Sequence, residues 1–429
     1  MSNISDLEKA KRYRYLVCLI IFSCYVLVYF QRLCPAVIAL DMQESFKASG
    51  ALLGVLSSAY FFPYAIMQLP TGLLVDSWGP RKTVSTFLLL AAGGSVLMGL
   101  APSLGLAILG RVLVGAGVST IFVSNFKLLA EWFDSRKFVI MGGIFTAMGG
   151  IGALSSSAPL AWASNLIGWR ITLVCMGITT AVMATLVYAF VRNRPSEKGW
   201  PSMHPVVEDE PETEIGLLQG MKQVVAAGRF WPVAVWSFCA CGVFFALGGL
   251  WGGPYLIHVY GLSKTAAGGI LAMLAIALIV GSPVLSFISN VVGRKPVFVG
   301  CSLLLSAVCA LFSLFPDSLP PAMLYVLFFC LSLGSGALGQ LMATVTKELF
   351  PRAIAGTSVG TVNLFPFFGG AFFQITIGVI VAWSGHIGGV YSLVGYEHMF
   401  LFCLMGSLIS LGAAVLLRET LRQACDSTR

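Results

Sequence analysis

Long apolar stretches follow one another from one end of this chain to the other, divided by short polar breaks. A stretch of about twenty such residues is enough to cross a bilayer as a helix. Twelve are present, over residues 14–40, 51–75, 83–101, 105–130, 138–163, 170–191, 229–257, 265–288, 296–316, 321–346, 354–382 and 398–418. The expected fold is an all-α membrane protein with twelve transmembrane helices. The composition agrees: 57% of the residues are hydrophobic and 10% are charged, against roughly 25% charged in soluble domains. A soluble enzyme is excluded. The first stretch is too long for a cleaved signal peptide and is followed by no small-residue cleavage pattern.

The net charge of +8 reflects topology rather than nucleic-acid binding. With the N-terminus placed inside, twenty of the twenty-six Lys and Arg residues fall in inside segments, and only Lys47, Arg170 and Lys264 fall outside. Cytoplasmic loops collect basic residues, so both termini are expected in the cytoplasm, across a bacterial inner membrane. The longest polar break, 192–228, holds the acidic run Glu208–Glu214. It reads as a solvated linker between an N-terminal six-helix bundle, 1–191, and a C-terminal one, 229–429. The 11 cysteines, ten of them in apolar stretches, read as small buried hydrophobes.

The two halves echo each other. Glu131, Phe133 and Gly143 recur at an offset of 217 as Glu348, Phe350 and Gly360, and Asp76 and Gly79 recur at 214 as Asn290 and Gly293. A duplicated six-helix unit suits a transporter whose halves rock about a central site. Gly72-Leu73-Leu74-Val75-Asp76-Ser77-Trp78-Gly79-Pro80-Arg81-Lys82 matches a G-x-L-x-D-x-x-G-x-R-K pattern, with Pro80 before the basic pair. Arg111-x-x-Val114-Gly115-x-Gly117 and Gly168-Trp169-Arg170 add to it. Through these motifs the chain resembles the major facilitator superfamily over essentially its whole length. The resemblance implies two pseudo-symmetric six-helix bundles, a central cavity lined in part by the first span, and a functional single chain. It also implies a latch at the helix ends, made from Asp76, Arg81 and Lys82 and from Gly293 and Arg294, whose charges exchange partners during rocking. Arg111, Gly115, Glu131 and Glu348 join the gating set. The G-P-x-x-G-G element of family exporters is missing from span five, where 149–159 reads GGIGALSSSAP. That absence counts against the alternative of a proton-driven multidrug exporter.

Three cations lie at span depth: Arg32, Arg111 and Lys127. Every one of the 18 acids falls in a loop, a tail or a span end. A charge within the membrane is a functional hypothesis by default, and here the natural partner is an anionic ligand. Tyr25, Tyr29 and Arg32 are spaced i, i+4, i+7 and share a helical face. Tyr29-Phe30-Gln31-Arg32 resembles the organic-anion symporters, the phagosomal amino-acid transporters and the lysosomal dipeptide-transporter branch of that superfamily. Thr120, Ser124 and Lys127 share a face of span four; Lys127 either joins the cavity or pairs with Glu131. Arg111 reads as structural or gating. Gln340, Asn363, Trp251 and Tyr255 are candidate hydrogen-bonding groups and aromatic walls of the second half.

The expected activity is alternating-access transport, with import favoured, of a small anionic or zwitterionic solute: a carboxylate, an amino acid or a short peptide. No catalytic residues, cofactor or metal ligands are expected, and His204, His258, His386 and His398 lack metal-ligand spacing. A coupling proton, if there is one, has Asp41, Glu131, a rim histidine or the solute as its carrier. A non-transporting receptor on the same scaffold is a third reading, weakened by the short linker and tail.

Overall fold

The computed structural model describes residues 2–201, 217–387 and 390–421. The acidic run Glu208–Glu214, His204, Cys425, Arg422 and Arg429 lie outside the described residues. In hydrocarbon a backbone must satisfy its own hydrogen bonds, which turns each apolar stretch into a helix. Among the described residues, eleven helices are long and apolar enough to cross a membrane. The pair Ile140–Ser155 and Ala158–Ile167, bent by 41°, makes a twelfth, where a single span over 138–163 was expected. The chain is an integral, multi-pass membrane protein. One departure from an all-helical chain is a short antiparallel pair, His386–Ile387 with Val390–Tyr391, in which His386 faces Tyr391.

Six spans of each half pack into a bundle. In the first, helix Phe61–Leu100 lies against Leu104–Val118 and Trp169–Phe190, and Ser2–Leu33 against Ser135–Ser155. In the second, Trp231–Ala246 lies against Leu364–Trp383 and Leu393–Leu416. The sequence repeat has a backbone counterpart. Gly79 and Gly293 have φ of 78° and 106°, and Gly168 and Gly385 have 79° and 88°. These are conformations that a side chain disfavours, at equivalent turns of the two halves.

The first span departs from its expected limits of 14–40. Helix Ser2–Leu33 breaks at Cys34 and resumes as Pro35–Phe46. Arg32 therefore lies fourteen residues before Phe46, about 21 Å along a helix, rather than near the span's outer end. Pro232 sits in the first turn of Trp231–Ala246, where the missing N–H is harmless. The linker is only partly a spacer, since its helix Leu217–Ala226 packs on Arg352–Val362. Among the cysteines, Cys175 is exposed and Cys330 half-buried, against the expectation of uniform burial.

The bundle has two ends. One carries the described ends of the chain near Glu8 and Leu416 and is called the termini face; the other is the far face. On the far face the halves touch backbone to backbone. A Cβ on Gly253 would stand 1.7 Å from the Ala36 carbonyl oxygen, and one on Gly378 would stand 2.5 Å from that of Gly50. A Cβ on Gly268 would stand 3.0 Å from the Ala158 backbone. Small residues are what permit such approaches between membrane helices.

Candidate functional site

Between the halves lies a cavity of about 260 Å³. It runs from Arg32 toward the termini face, past Met342, Val359 and Gly356. A Cβ on Gly339, Gly356 or Gly360 would meet nothing within 4 Å. The cavity is therefore open along the termini side and stops at the far-face contacts.

Arg32 is its charged centre. It is 3% exposed, and its Nε donates to the Tyr60 hydroxyl at 3.4 Å. The guanidinium carbon lies 4.7 Å from the ring centre of Tyr29, 4.8 Å from Tyr64 and 5.0 Å from Phe367. Aromatic faces attract a cation, but they accept no strong hydrogen bond, and Nη2 is buried without a partner. Among the described residues lining the cavity, no Asp, Glu, Lys or His appears. The expected trio of Tyr25, Tyr29 and Arg32 does share this wall, with Tyr25 stacked on Phe145 at 4.0 Å.

The second half contributes neutral groups. Gln340 Nε2 donates to Thr146 Oγ1 at 2.6 Å, and Asn363 Nδ2 donates to Gln68 Oε1 at 3.3 Å. Both bonds cross between the halves inside the cavity. Gln68 Nε2 is a further buried donor with no partner. Tyr64, Gln68, Thr146, Phe245 and Phe367 were missed from sequence. For two of them a signal existed: Tyr60, Tyr64 and Gln68 repeat at i, i+4, i+8, a polar stripe on one helical face.

Several expected members lie elsewhere. Lys127 does not reach the cavity, nor does it pair with Glu131. Its ammonium bonds Asp76 and the Val75 carbonyl near the termini face, because a flexible lysine stem carries its charge toward the polar boundary. Glu131 instead meets Arg194 at 3.3 Å. Thr120 and Ser124 are buried outside the cavity, with hydroxyls that lack partners. Trp251 donates its indole N–H to the Gln374 carbonyl at 3.1 Å and packs behind the Gly50–Gly378 contact. Tyr255 donates to the Pro316 carbonyl at 2.6 Å inside a cluster with Phe312, Tyr396 and Phe400. An indole or phenol in an apolar interior must find an acceptor, and both found theirs in backbone rather than facing the cavity.

Arg111 has a clear local cause. Pro35 has no N–H to give the carbonyl four residues back, which belongs to Gln31. Arg111 Nη1 takes that carbonyl at 2.7 Å. Its Nε and Nη2 remain without partners, and its charge sits 5.1 Å from the Tyr60 ring, which also lies 5.8 Å from the charge of Arg32. The interior thus holds two guanidinium groups near one phenol ring. Gly115 lets Tyr60 come this close, since a Cβ there would stand 2.1 Å from the Tyr60 carbonyl oxygen.

The latch residues pair within their own halves. Asp76 pairs with Lys127. The Arg81 amide is capped by Asn193 at 2.9 Å, its Nε bonds the Tyr188 carbonyl at 2.7 Å, and Lys82 is exposed. Gly72 faces open space. In the second half Arg294 meets Glu348 at 3.0 Å and also bonds Ser289 and Asn290. Glu419 accepts from the Arg294 and Lys295 amides at 3.0 and 3.1 Å. Burial pushes the Glu419 carboxyl upward, but these backbone donors outweigh it and hold its pKa below the usual value. Asp134 is held low mainly by the Lys137 amide, as expected of an N-cap acid. Among the described ion pairs, one joins the halves: Lys264 with Asp41 at 2.7 Å, on the far face. Among the described residues no cluster of metal-ligating side chains occurs.

Comparison with protein families matches residues 21–374 and 252–424 to the Major Facilitator Superfamily. The probable galactarate/D-glucarate transporter GudP of Escherichia coli (strain K12) is 23% identical, over 91% of this chain and 92% of its own length. The probable sulfoacetate transporter SauU of Cupriavidus necator is 25% identical over 53% of each chain. The nitrate/nitrite transporter NrtP of Nostoc punctiforme is 28% identical, over 46% of this chain and 37% of its own. Among solved structures, a bacterial homologue of the lysosomal transporter Spinster, in an inward-facing conformation, superposes with a TM-score of 0.76. The pair share 18% identity, covering 94% of this chain and 97% of that one. The D-xylose-proton symporter gives 0.73 at 15% identity, covering 95% and 99%. Both likenesses are of fold.

Proposed function

The chain belongs to the Major Facilitator Superfamily, whose members are transporters and not enzymes, and from that premise we propose that it moves a small organic anion across a bacterial inner membrane by alternating access. The observation that carries this is Arg32: a buried cation with an unpartnered Nη2, in a cavity with no acid among its described lining. An unpaired charge in such a place is costly, and a carboxylate or other oxyanion is the ligand that relieves it through charge-assisted hydrogen bonds.

The same charge pattern supports a solute without an amine. A zwitterion would bring an ammonium to a wall whose only described charge is positive. Gln68, Asn363, Gln340 and Thr146 suit hydroxyl groups, so a hydroxylated organic acid is favoured over an amino acid or peptide. Galactarate, glucarate, sulfoacetate and nitrate, which the relatives' names give as their solutes, are all anions. The biased distribution of Lys and Arg supports termini in the cytoplasm, which makes the termini-face opening an inward-facing one. The 192–228 segment serves as the joint between bundles 1–191 and 229–429. Import of one negative charge against an inside-negative potential is opposed by about 2.3 kcal/mol per 100 mV, so it needs a compensating movement.

The test is a thermal-shift screen of the purified protein against L-galactonate, D-glucarate, galactarate, sulfoacetate, amino acids and dipeptides. A ligand at about a hundred times its Kd stabilises the native form by about 2.7 kcal/mol. At least one amine-free acid is expected to raise Tm in the wild type and not in Arg32→Ala. A shift with amino acids alone, or one unchanged in the variant, contradicts the reading.

A further inference from the structure

We infer that the chain works as an exchanger, moving one organic anion inward only as another moves outward; the inference rests on the anion reading of the Arg32 site. Reversing the open face requires a stage in which the cavity is closed at both ends. Closure at the far face is already direct, through Gly253 on Ala36 and Gly50 on Gly378, and leaves no room for bulk water there. In this structure the partners of the Arg32 guanidinium are the Tyr60 hydroxyl and the Tyr29 and Tyr64 rings, none of which carries a charge.

Arg32 cannot escape by giving up a proton, because an arginine stays charged in proteins. Nor is an internal counter-charge at hand among the described residues that face it. The titratable groups facing it are Tyr29, Tyr60 and Tyr64, with Tyr25 on the same wall, and the next charge beyond Tyr60 is Arg111, another cation. Asp41, the acid of the far-face pair, is committed to Lys264. Closing without solute buries an unpaired positive charge, whereas closing with an organic anion buries a neutral pair. The loaded protein crosses readily and the unloaded one crosses slowly, which is the condition for obligatory exchange. Exchange of like charges also removes the opposition of the membrane potential.

The experiment uses the full-length protein in proteoliposomes, with radiolabelled L-galactonate, D-glucarate or sulfoacetate offered one at a time. Uptake into vesicles loaded with the same unlabelled anion is expected to exceed uptake into vesicles holding chloride salts by at least about tenfold. An imposed proton gradient should leave the exchange rate unchanged. In Gln68→Glu, which adds a carboxylate to the cavity, the ratio of exchange to net uptake should fall toward one. Net uptake as fast as exchange, or uptake that needs a proton gradient, overturns the exchanger while leaving the anion site standing. No movement of any probe in either mode, with none shifting Tm, overturns both.

Discussion

The far face and the termini face of this molecule are held in opposite ways. On the far face the halves meet through backbone contacts at glycines and through Asp41–Lys264, which spans the two halves. On the termini face Asp76–Lys127, Glu131–Arg194 and Glu348–Arg294 each stay within one half or its adjoining linker. Contacts that cross the boundary set which face is closed. Contacts within a half hold each bundle rigid while it moves. The expected latch does not span the boundary here: its acids are paired inside their own bundles, and the glycines lining the cavity on that side face open space.

The contrast can be broken from either end. Gly253→Val should have the largest effect. Its added carbons collide with the Ala36 backbone, which cannot shift as a side chain can, and overpacking of about 3 kcal/mol corresponds to roughly a hundredfold loss of far-face closure. Labelled uptake should fall accordingly while Tm drops little; normal uptake would remove the glycine seal from the account. Arg294→Ala should do the reverse. It strips the charged partner from a mostly buried Glu348, 20% exposed, leaving it the Thr420 hydroxyl, and should lower stability by about 2 kcal/mol without changing which face is open. Thermal unfolding and accessibility labelling separate the two effects.

Lys264→Ala comes next. The pair is partly exposed and weaker than a buried one, so a shift of about 1 kcal/mol toward an open far face is expected, visible as a several-fold change in labelling there and little change in Tm. Glu419→Gln is the smallest, at about 0.5 kcal/mol. Because the folded carboxyl titrates below its unfolded value, its stabilisation is fully present above the ordinary carboxylate range and is lost as pH falls through the lowered folded pKa. The Tm gap between wild type and variant should therefore be constant near neutral pH and close in acid.

Much of this was legible in the sequence. The apolar stretches gave the spans, and the offsets of 214 and 217 anticipated the matched glycine turns. The Tyr25, Tyr29 and Arg32 stripe lies on the cavity wall because one helix face is a local property that spacing reveals. The rest depended on contacts between distant segments. Spacing along span four could not show that Lys127 would bend toward Asp76, fifty-one residues away. Trp251 and Tyr255 were read as a wall because an aromatic pair on a helix looks alike whether it faces a cavity or a neighbouring backbone. Arg111 reads as structural or gating from its motif, but its partner, a carbonyl freed by Pro35, is visible only when spans one and four are brought together.

The central claim is that Arg32 is buried without a counter-charge so that an anion can supply one. Equilibrium binding of labelled L-galactonate, D-glucarate and sulfoacetate to the purified wild type, Arg32→Gln and Lys127→Gln tests it most directly. At least one probe should bind the wild type and Lys127→Gln alike and bind Arg32→Gln at least about a hundredfold more weakly, the loss of a charge-assisted pair. Equal affinity in a correctly folded Arg32→Gln, or loss in Lys127→Gln instead, would contradict it.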